Sequence, residues 1–182
     1  MWSPDSYLVT WNYAAHMHGE QKVPGTELPY VVHVGAVAME VMTALAQGSR
    51  AASSRVADPD LAVQCSLLHD VIEDTPAIYA DVAARFGVAV ADGVLALTKN
   101  TALPDKSAQM TDSLARIRQQ PLEVWMVKLA DRITNLQPPP PHWDNAKIAA
   151  YRAEAGTILA ALGEADEWLA ARLREKIARY GR

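Results

Sequence analysis

Apolar residues recur along most of this chain with the three- and four-residue spacing of a helix, and no stretch alternates with the period of two that marks a half-buried strand. Val34, Val37, Val41 and Leu45, with Ala38 and Met42 beside them, make one apolar stripe that Gly48 ends. Asp58 followed by Pro59 reads as an N-cap and a first-turn proline. It opens a helix through "LAVQCSLLHDVIED" that is apolar around most of its circumference and so belongs in the centre. Thr75-Pro76 repeats that start signal for a helix carrying Ile78, Val82 and Phe86 to Gly87. Two shorter helices, in "VAVADGVLALT" and "DKSAQMTDSLARIRQQ", are divided by a polar loop with Pro104. Pro121 starts "PLEVWMVKLADRITNL", where Leu122, Met126, Leu129, Ile133 and Leu136 hold one face while Lys128, Asp131 and Asn135 share another. The prolines of "QPPPPHWD" forbid helix and give an extended connection. Two last helices run through Ile148, Tyr151, Ile158 and Leu162 and through Trp168, Leu169, Leu173 and Ile177. The expectation is an all-α bundle of roughly eight to ten helices, folded as a single domain over residues 1–182.

Composition narrows the function. The formal charge of −4 and the lack of any Lys/Arg-rich run exclude the electrostatic footprint of a nucleic-acid or anionic-membrane binder. Cys65, the only cysteine, lies among Leu61, Val63 and Leu67. That excludes a disulfide framework or a Cys-rich zinc site and reads as a small buried hydrophobe. The N-terminal "MWSPDSYLVTW" has neither a basic n-region nor an apolar h-region, and no uninterrupted run of about 18 apolar residues exists, so a cytoplasmic location is expected.

The chemistry gathers in "LLHDVIEDT". Burying a carboxylate costs several kcal/mol unless something pairs with it. On a continuous helix at about 100° per residue, His69, Asp70, Glu73 and Asp74 spread over roughly 140° of one side and can face one cavity. A second histidine, His33, and a second lone carboxylate, Asp131, sit on other apolar helices. Two imidazoles and two carboxylates suit a divalent ion such as Mn²⁺, Fe²⁺ or Zn²⁺, which offsets the buried charge and attracts phosphate oxygens. Glu73 and Asp74, one turn beyond, are placed to position a water and to move protons. His16, His18 and His142 read as non-ligands.

The strings "HMHGEQK…PYVVH", "LLHDVIEDT" and "VKLADRITNL", in this order, resemble the HD-domain metal-dependent phosphohydrolases. More narrowly they look like the hydrolase domain of the RelA/SpoT homologues and their stand-alone relatives, the small alarmone hydrolases. The likeness runs from about Tyr13 to the C-terminus and includes "RFGVAVADGVLALT" and the helical pair around Tyr151. It implies an all-α fold and a Mn²⁺-dependent hydrolysis of the 3′-diphosphate of (p)ppGpp to GDP or GTP plus pyrophosphate, with no room left for a synthetase domain. By the same resemblance His33, His69, Asp70 and Asp131 match metal ligands, and Glu73 and Asp74 match the acidic pair assigned to water activation. Asn135 matches a contact to the nucleotide sugar, and Tyr151 an aromatic on the substrate side. Lys99 and Lys106 lie where the family gathers phosphate-binding charge, and Lys128 either faces the cavity beside Asp131 or pairs with it.

One departure stands out. Where the family has consecutive basic residues after the glutamine, this chain has Lys22 alone as the candidate substrate contact, followed by Val23. Lysine lacks the flat guanidinium that stacks on a base, which opens the alternative of another 2′- or 3′-phosphorylated purine nucleotide, such as NADPH. A non-catalytic nucleotide-binding domain would instead have lost a ligand or an acid.

Overall fold

The computed structural model describes residues 1–48 and 55–182. Among the described residues ten helices follow one another: α1 (Pro4–His18), α2 (Val31–Gly48), α3 (Pro59–Leu68), α4 (Val71–Asp74), α5 (Tyr79–Phe86), α6 (Val88–Leu97), α7 (Lys106–Ile117), α8 (Leu122–Asn135), α9 (Asn145–Leu162) and α10 (Glu167–Arg179). No strand forms among those residues, as the periodicity predicts. Aspartates set four of the helix starts by satisfying first-turn N–H groups. Asp58 accepts from the Leu61 N–H at 3.1 Å, and Asp105, Asp144 and Asp166 do the same for α7, α9 and α10.

Helices α2, α3 and α8 pack on one another at the centre. Helix α8 is buried continuously from Glu123 to Ile133, so Lys128 and Asp131 of its polar stripe lie inside the protein with its apolar one, while Asn135 at its end is exposed. The buried acids away from that stripe are paired. Glu123 accepts the N–H groups of Ala57 and Asp58 at 2.7 and 2.8 Å, and Glu40 on α2 takes a two-pronged bond from Arg172 on α10. Helix α2, with 18 residues and a mean hydropathy of 1.3, is long and apolar enough to cross a membrane by length and composition. Its Val34, Val37 and Val41 are fully buried, and it also buries His33 and Glu40.

Two element boundaries depart from the sequence pattern. The helix predicted to run from Pro59 through Asp74 is broken, because α3 ends at Leu68 and Asp70 takes φ −105°, ψ 0°, outside the helical basin. Side-chain bonds, two of them local and one from distant Tyr30, hold the break. His69 Nδ1 donates to the Ser66 carbonyl at 2.8 Å, and the Asp70 carboxylate is drawn to the Tyr30 hydroxyl at 2.5 Å and to His69 Nε2 at 2.9 Å. Thr75 does not start the next helix. Its hydroxyl donates to the Val71 carbonyl at 2.6 Å, closing α4, and α5 begins at Tyr79 with Asp81 accepting from the Ile78 N–H. Ile78 is consequently exposed instead of lying in the core.

Gly93 lets α6 pack closely against α3 and α8. A β-carbon there would lie 2.7 Å from Cys65 Sγ and 2.9 Å from Val124 Cγ2. Gly93→Ala is expected to lower stability by about 1–2 kcal/mol, overpacking outweighing the helix preference of alanine. Urea denaturation would read this as a lower midpoint with an unchanged slope.

Candidate active site

Three helical elements converge on one point: α2 brings His33, the α3–α4 break brings His69 and Asp70, and α8 brings Asp131. The Nε2 atoms of His33 and His69 are 3.2 Å apart. Asp131 Oδ1 lies 3.6 Å from His33 Nε2 and 3.9 Å from His69 Nε2, while Asp70 Oδ2 lies 3.7 and 2.9 Å from the same two nitrogens. The ligand atoms of His33, His69 and Asp131 all fall within 4.8 Å of one another, and all three residues are buried. Because His69 Nδ1–H is spent on the Ser66 carbonyl, Nε2 is the nitrogen it presents. The remaining acceptor positions on Asp131 are also used: Lys128 donates to Oδ2 at 3.1 Å and Asn135 to Oδ1 at 2.5 Å. Such a cluster of converging imidazole nitrogens and carboxylate oxygens could hold a divalent cation.

Without a cation, the cluster balances its charge with a proton. Burial disfavours protonated His69, but the adjacent Asp70 and Asp131 outweigh it and push its pKa up to about 9. His33 moves the other way, lowered by burial and by His69. Asp70 and Asp131 are held below the usual carboxylate range. Burial would raise both, and is outweighed at Asp70 by His69 and the Tyr30 hydroxyl and at Asp131 by Lys128 and His69. His69 therefore carries a proton at neutral pH. Its stabilising contribution is complete below its ordinary value of 6.5 and is lost as pH rises through about 9. A cation must displace that proton. Calorimetry of divalent-cation binding at neutral pH, in two buffers of different ionisation enthalpy, is expected to show release of about one proton, and affinity should climb toward alkaline pH. A heat independent of the buffer would contradict this.

A cavity of about 730 Å³ opens over the cluster, a size suited to a nucleotide-sized ligand. Of the residues picked from sequence, His69, Asp70 and Asp131 form its floor with Glu73 and Asp74 alongside. Asn135, Tyr151, Lys99, Lys106 and Lys128 also line it, and His33 belongs to the cluster without lining the cavity. Lys128 does both things considered for it, facing the cavity and pairing with Asp131. Lys99 binds Glu73 twice, through its backbone N–H at 2.9 Å and its ammonium at 2.5 Å. Burial would lower the Lys99 pKa, but the bond and charge of Glu73 raise it on balance.

Lys22 is the exception. It is exposed, pairs with Glu27 and does not line the cavity. His16, His18 and His142 stand outside the cluster.

Several lining residues escaped the sequence reading, namely Tyr30, Arg132, Trp143 and Lys147. Arg132 pairs with Glu154 and sets its guanidinium 4.4 Å above the Tyr151 ring, while Lys147 packs 4.3 Å over Trp143. Helical offsets could have flagged two of them. Lys147 precedes Tyr151 by four residues, and Tyr30 precedes His33 by three.

Residues 10–169 match the HD domain family. A guanosine-3′,5′-bis(diphosphate) 3′-pyrophosphohydrolase of Danio rerio is 27% identical over 162 residues, spanning 85% of this chain and 83% of that protein. The protein of the same name from Drosophila melanogaster is 30% identical over 132 residues, spanning 72% of this chain and 68% of its own. A solved structure described as a metazoan orthologue of SpoT that hydrolyses ppGpp superposes with a TM-score of 0.82 at 25% identity, covering 100% of this chain and 98% of that one.

Proposed function

The chain belongs to the HD-domain family, and from that premise we propose that it is a metal-dependent hydrolase that cuts the 3′-diphosphate of (p)ppGpp, leaving GDP or GTP and releasing pyrophosphate. One observation carries this reading: a single cavity with two opposed chemistries. Its floor gathers imidazoles and carboxylates fit for a cation, and its walls carry Lys99, Lys106, Lys128, Arg132 and Lys147, fit for a polyanion. The same lining carries as many acids, Asp70, Glu73, Asp74, Asp131 and Glu154, so a bound cation would supply the excess positive charge that a polyanion needs.

In this proposal His33, His69, Asp70 and Asp131 hold the cation, which we take to be Mn²⁺. The donor set supports the fit, since both histidines turn Nε2 inward toward two carboxylates. When bound, the ion supplies positive charge that draws electron density from the phosphate undergoing attack and makes water a stronger acid. Glu73 and Asp74 hold the attacking water, and one of them takes its proton as the water oxygen bonds to phosphorus; the bond from phosphorus to the 3′ oxygen breaks, and that oxygen leaves with the nucleoside and takes up the proton. Lys99, fastened to Glu73, orients that carboxylate and offers its charge to phosphate. Asn135 spends its Nδ2 on Asp131, which leaves its carbonyl oxygen to accept a ribose hydroxyl. Tyr151, stiffened by Arg132 above its ring, forms a flat wall for the nucleoside. Residues 1–182 act as one domain in this proposal. Its cytoplasmic location agrees with the core packing of α2.

The placement of Lys22 favours a second reading. With that lysine engaged by Glu27 and hydrophobic Val23 following it, no guanidinium from this stretch is available to stack on guanine, so an adenine nucleotide phosphorylated on its ribose is the competing substrate. Incubating Mn²⁺-loaded protein with ppGpp and, separately, with NADPH distinguishes the two. Pyrophosphate from ppGpp is the expected result. Phosphate from NADPH with ppGpp left intact would transfer the assignment to the adenine nucleotide.

A further inference from the structure

Residues 18–30 leave α1 and return to α2 as a short hairpin. The Gln21 N–H donates to the His18 carbonyl, the Tyr30 N–H donates to the Gln21 carbonyl, and the Val23 N–H donates to the Leu28 carbonyl, all at 2.8–2.9 Å. This segment touches two carboxylates of the site through two different side chains. The Tyr30 hydroxyl donates to Asp70 Oδ2 at 2.5 Å, and the Gln21 amide donates to Asp74 Oδ2 at 3.1 Å.

The second contact has a built-in orientation. An ionised carboxylate only accepts hydrogen bonds, so Gln21 must turn its Nε2 to Asp74 and its Oε1 away. That oxygen lies 2.7 Å from His18 Nδ1, which must then carry the ring proton. His18 is only 5% exposed, its Nε2 has no hydrogen-bond partner among the described residues, and its ring packs against Tyr30 at 4.8 Å. A buried imidazole with one nitrogen unpaired carries a desolvation cost, and the contact left to explain its placement is the one its other nitrogen makes. Here that nitrogen fixes which way the Gln21 amide faces.

We propose that this hairpin is a positioning arm with two separate outputs: Tyr30 sets the cation-binding carboxylate Asp70, and Gln21, oriented by His18, sets the proton-handling carboxylate Asp74. The inference rests on the roles given to those two acids under the proposed function. The two outputs follow from bond chemistry. A phenol donating to a ligand carboxylate fixes its rotamer and tunes its basicity toward the cation. A neutral amide on Asp74 holds that group in place without adding a cation that would compete for the proton.

The test is a double dissociation. Tyr30→Phe keeps the ring packing and is expected to weaken Mn²⁺ binding, measured by calorimetry on metal-free protein, by about 10- to 100-fold. Its kcat should return once Mn²⁺ is saturating. Gln21→Leu is expected to leave Mn²⁺ affinity unchanged and KM unchanged while lowering kcat by about 10- to 100-fold. His18→Asn, whose amide nitrogen can stand in for Nδ1, should retain kcat, whereas His18→Leu should lose it as Gln21→Leu does. Turnover is read on whichever of ppGpp and NADPH the wild-type protein cleaves, so failure of the ppGpp assignment leaves this test standing. Unchanged Mn²⁺ affinity in Tyr30→Phe, or unchanged kcat in Gln21→Leu, overturns the proposal. So do variants that lose both parameters in the same proportion, the mark of a loop that is merely loosened.

Discussion

Asp131→Ala is expected to bind divalent cations more than about 100-fold more weakly than the wild-type protein and to release no pyrophosphate above background, because losing a ligand costs more than losing one of its supports. Asp131 is the only member of the cluster contributed by α8, and it faces both histidine Nε2 atoms within 3.9 Å. It is also where Lys128 and Asn135 are anchored. Removing it takes away the carboxylate that offsets the Lys128 ammonium, so the pocket becomes less hospitable to a second positive charge just as it loses a donor. Circular dichroism of the variant should show wild-type helix content. Calorimetry then separates loss of the cation from loss of the fold, and a variant that binds Mn²⁺ as tightly as the wild type would remove Asp131 from the ligand set.

Glu73→Gln is expected to do the opposite. Mn²⁺ affinity and KM should stay near wild type while kcat falls by about 10²–10⁴-fold, the range for losing a group that handles a proton. The glutamine can still accept the Lys99 backbone N–H through its amide oxygen, which keeps one of the two ties to the loop after α6, while the ion pair with the Lys99 ammonium is lost. What disappears is the negative charge that receives a proton. Loss of Mn²⁺ binding in this variant would assign Glu73 to the cation and not to the water.

Much of this architecture was legible in the sequence, and what escaped has physical causes. Helical periodicity located α2, α8 and the last two helices because each packs apolar residues three and four apart against the core. Asp58-Pro59 marked its N-terminus through capping chemistry that is local to three residues. The break at Asp70 could not be read this way. It comes from Tyr30, forty residues away, competing for the carboxylate. Thr75-Pro76 misled because a threonine hydroxyl serves the end of one helix as readily as the start of the next.

The candidate residues on apolar helices converge in the structure, since a charge that the core must bury leaves few places to go. Lys22, on an exposed hairpin, had no such constraint and is turned away from the cavity with Glu27 as partner. Arg132 and Lys147 were overlooked for the converse reason. Each looks like an ordinary solvated charge until α8 and α9 set them over Tyr151 and Trp143.

The central claim is that one cation is shared by side chains from α2, the α3–α4 break and α8. Anomalous diffraction from crystals soaked in Mn²⁺ tests it most directly. A single peak bounded by His33, His69, Asp70 and Asp131, absent in crystals of Asp131→Ala, is the predicted result, and a wild-type map with no peak among those four side chains would contradict it.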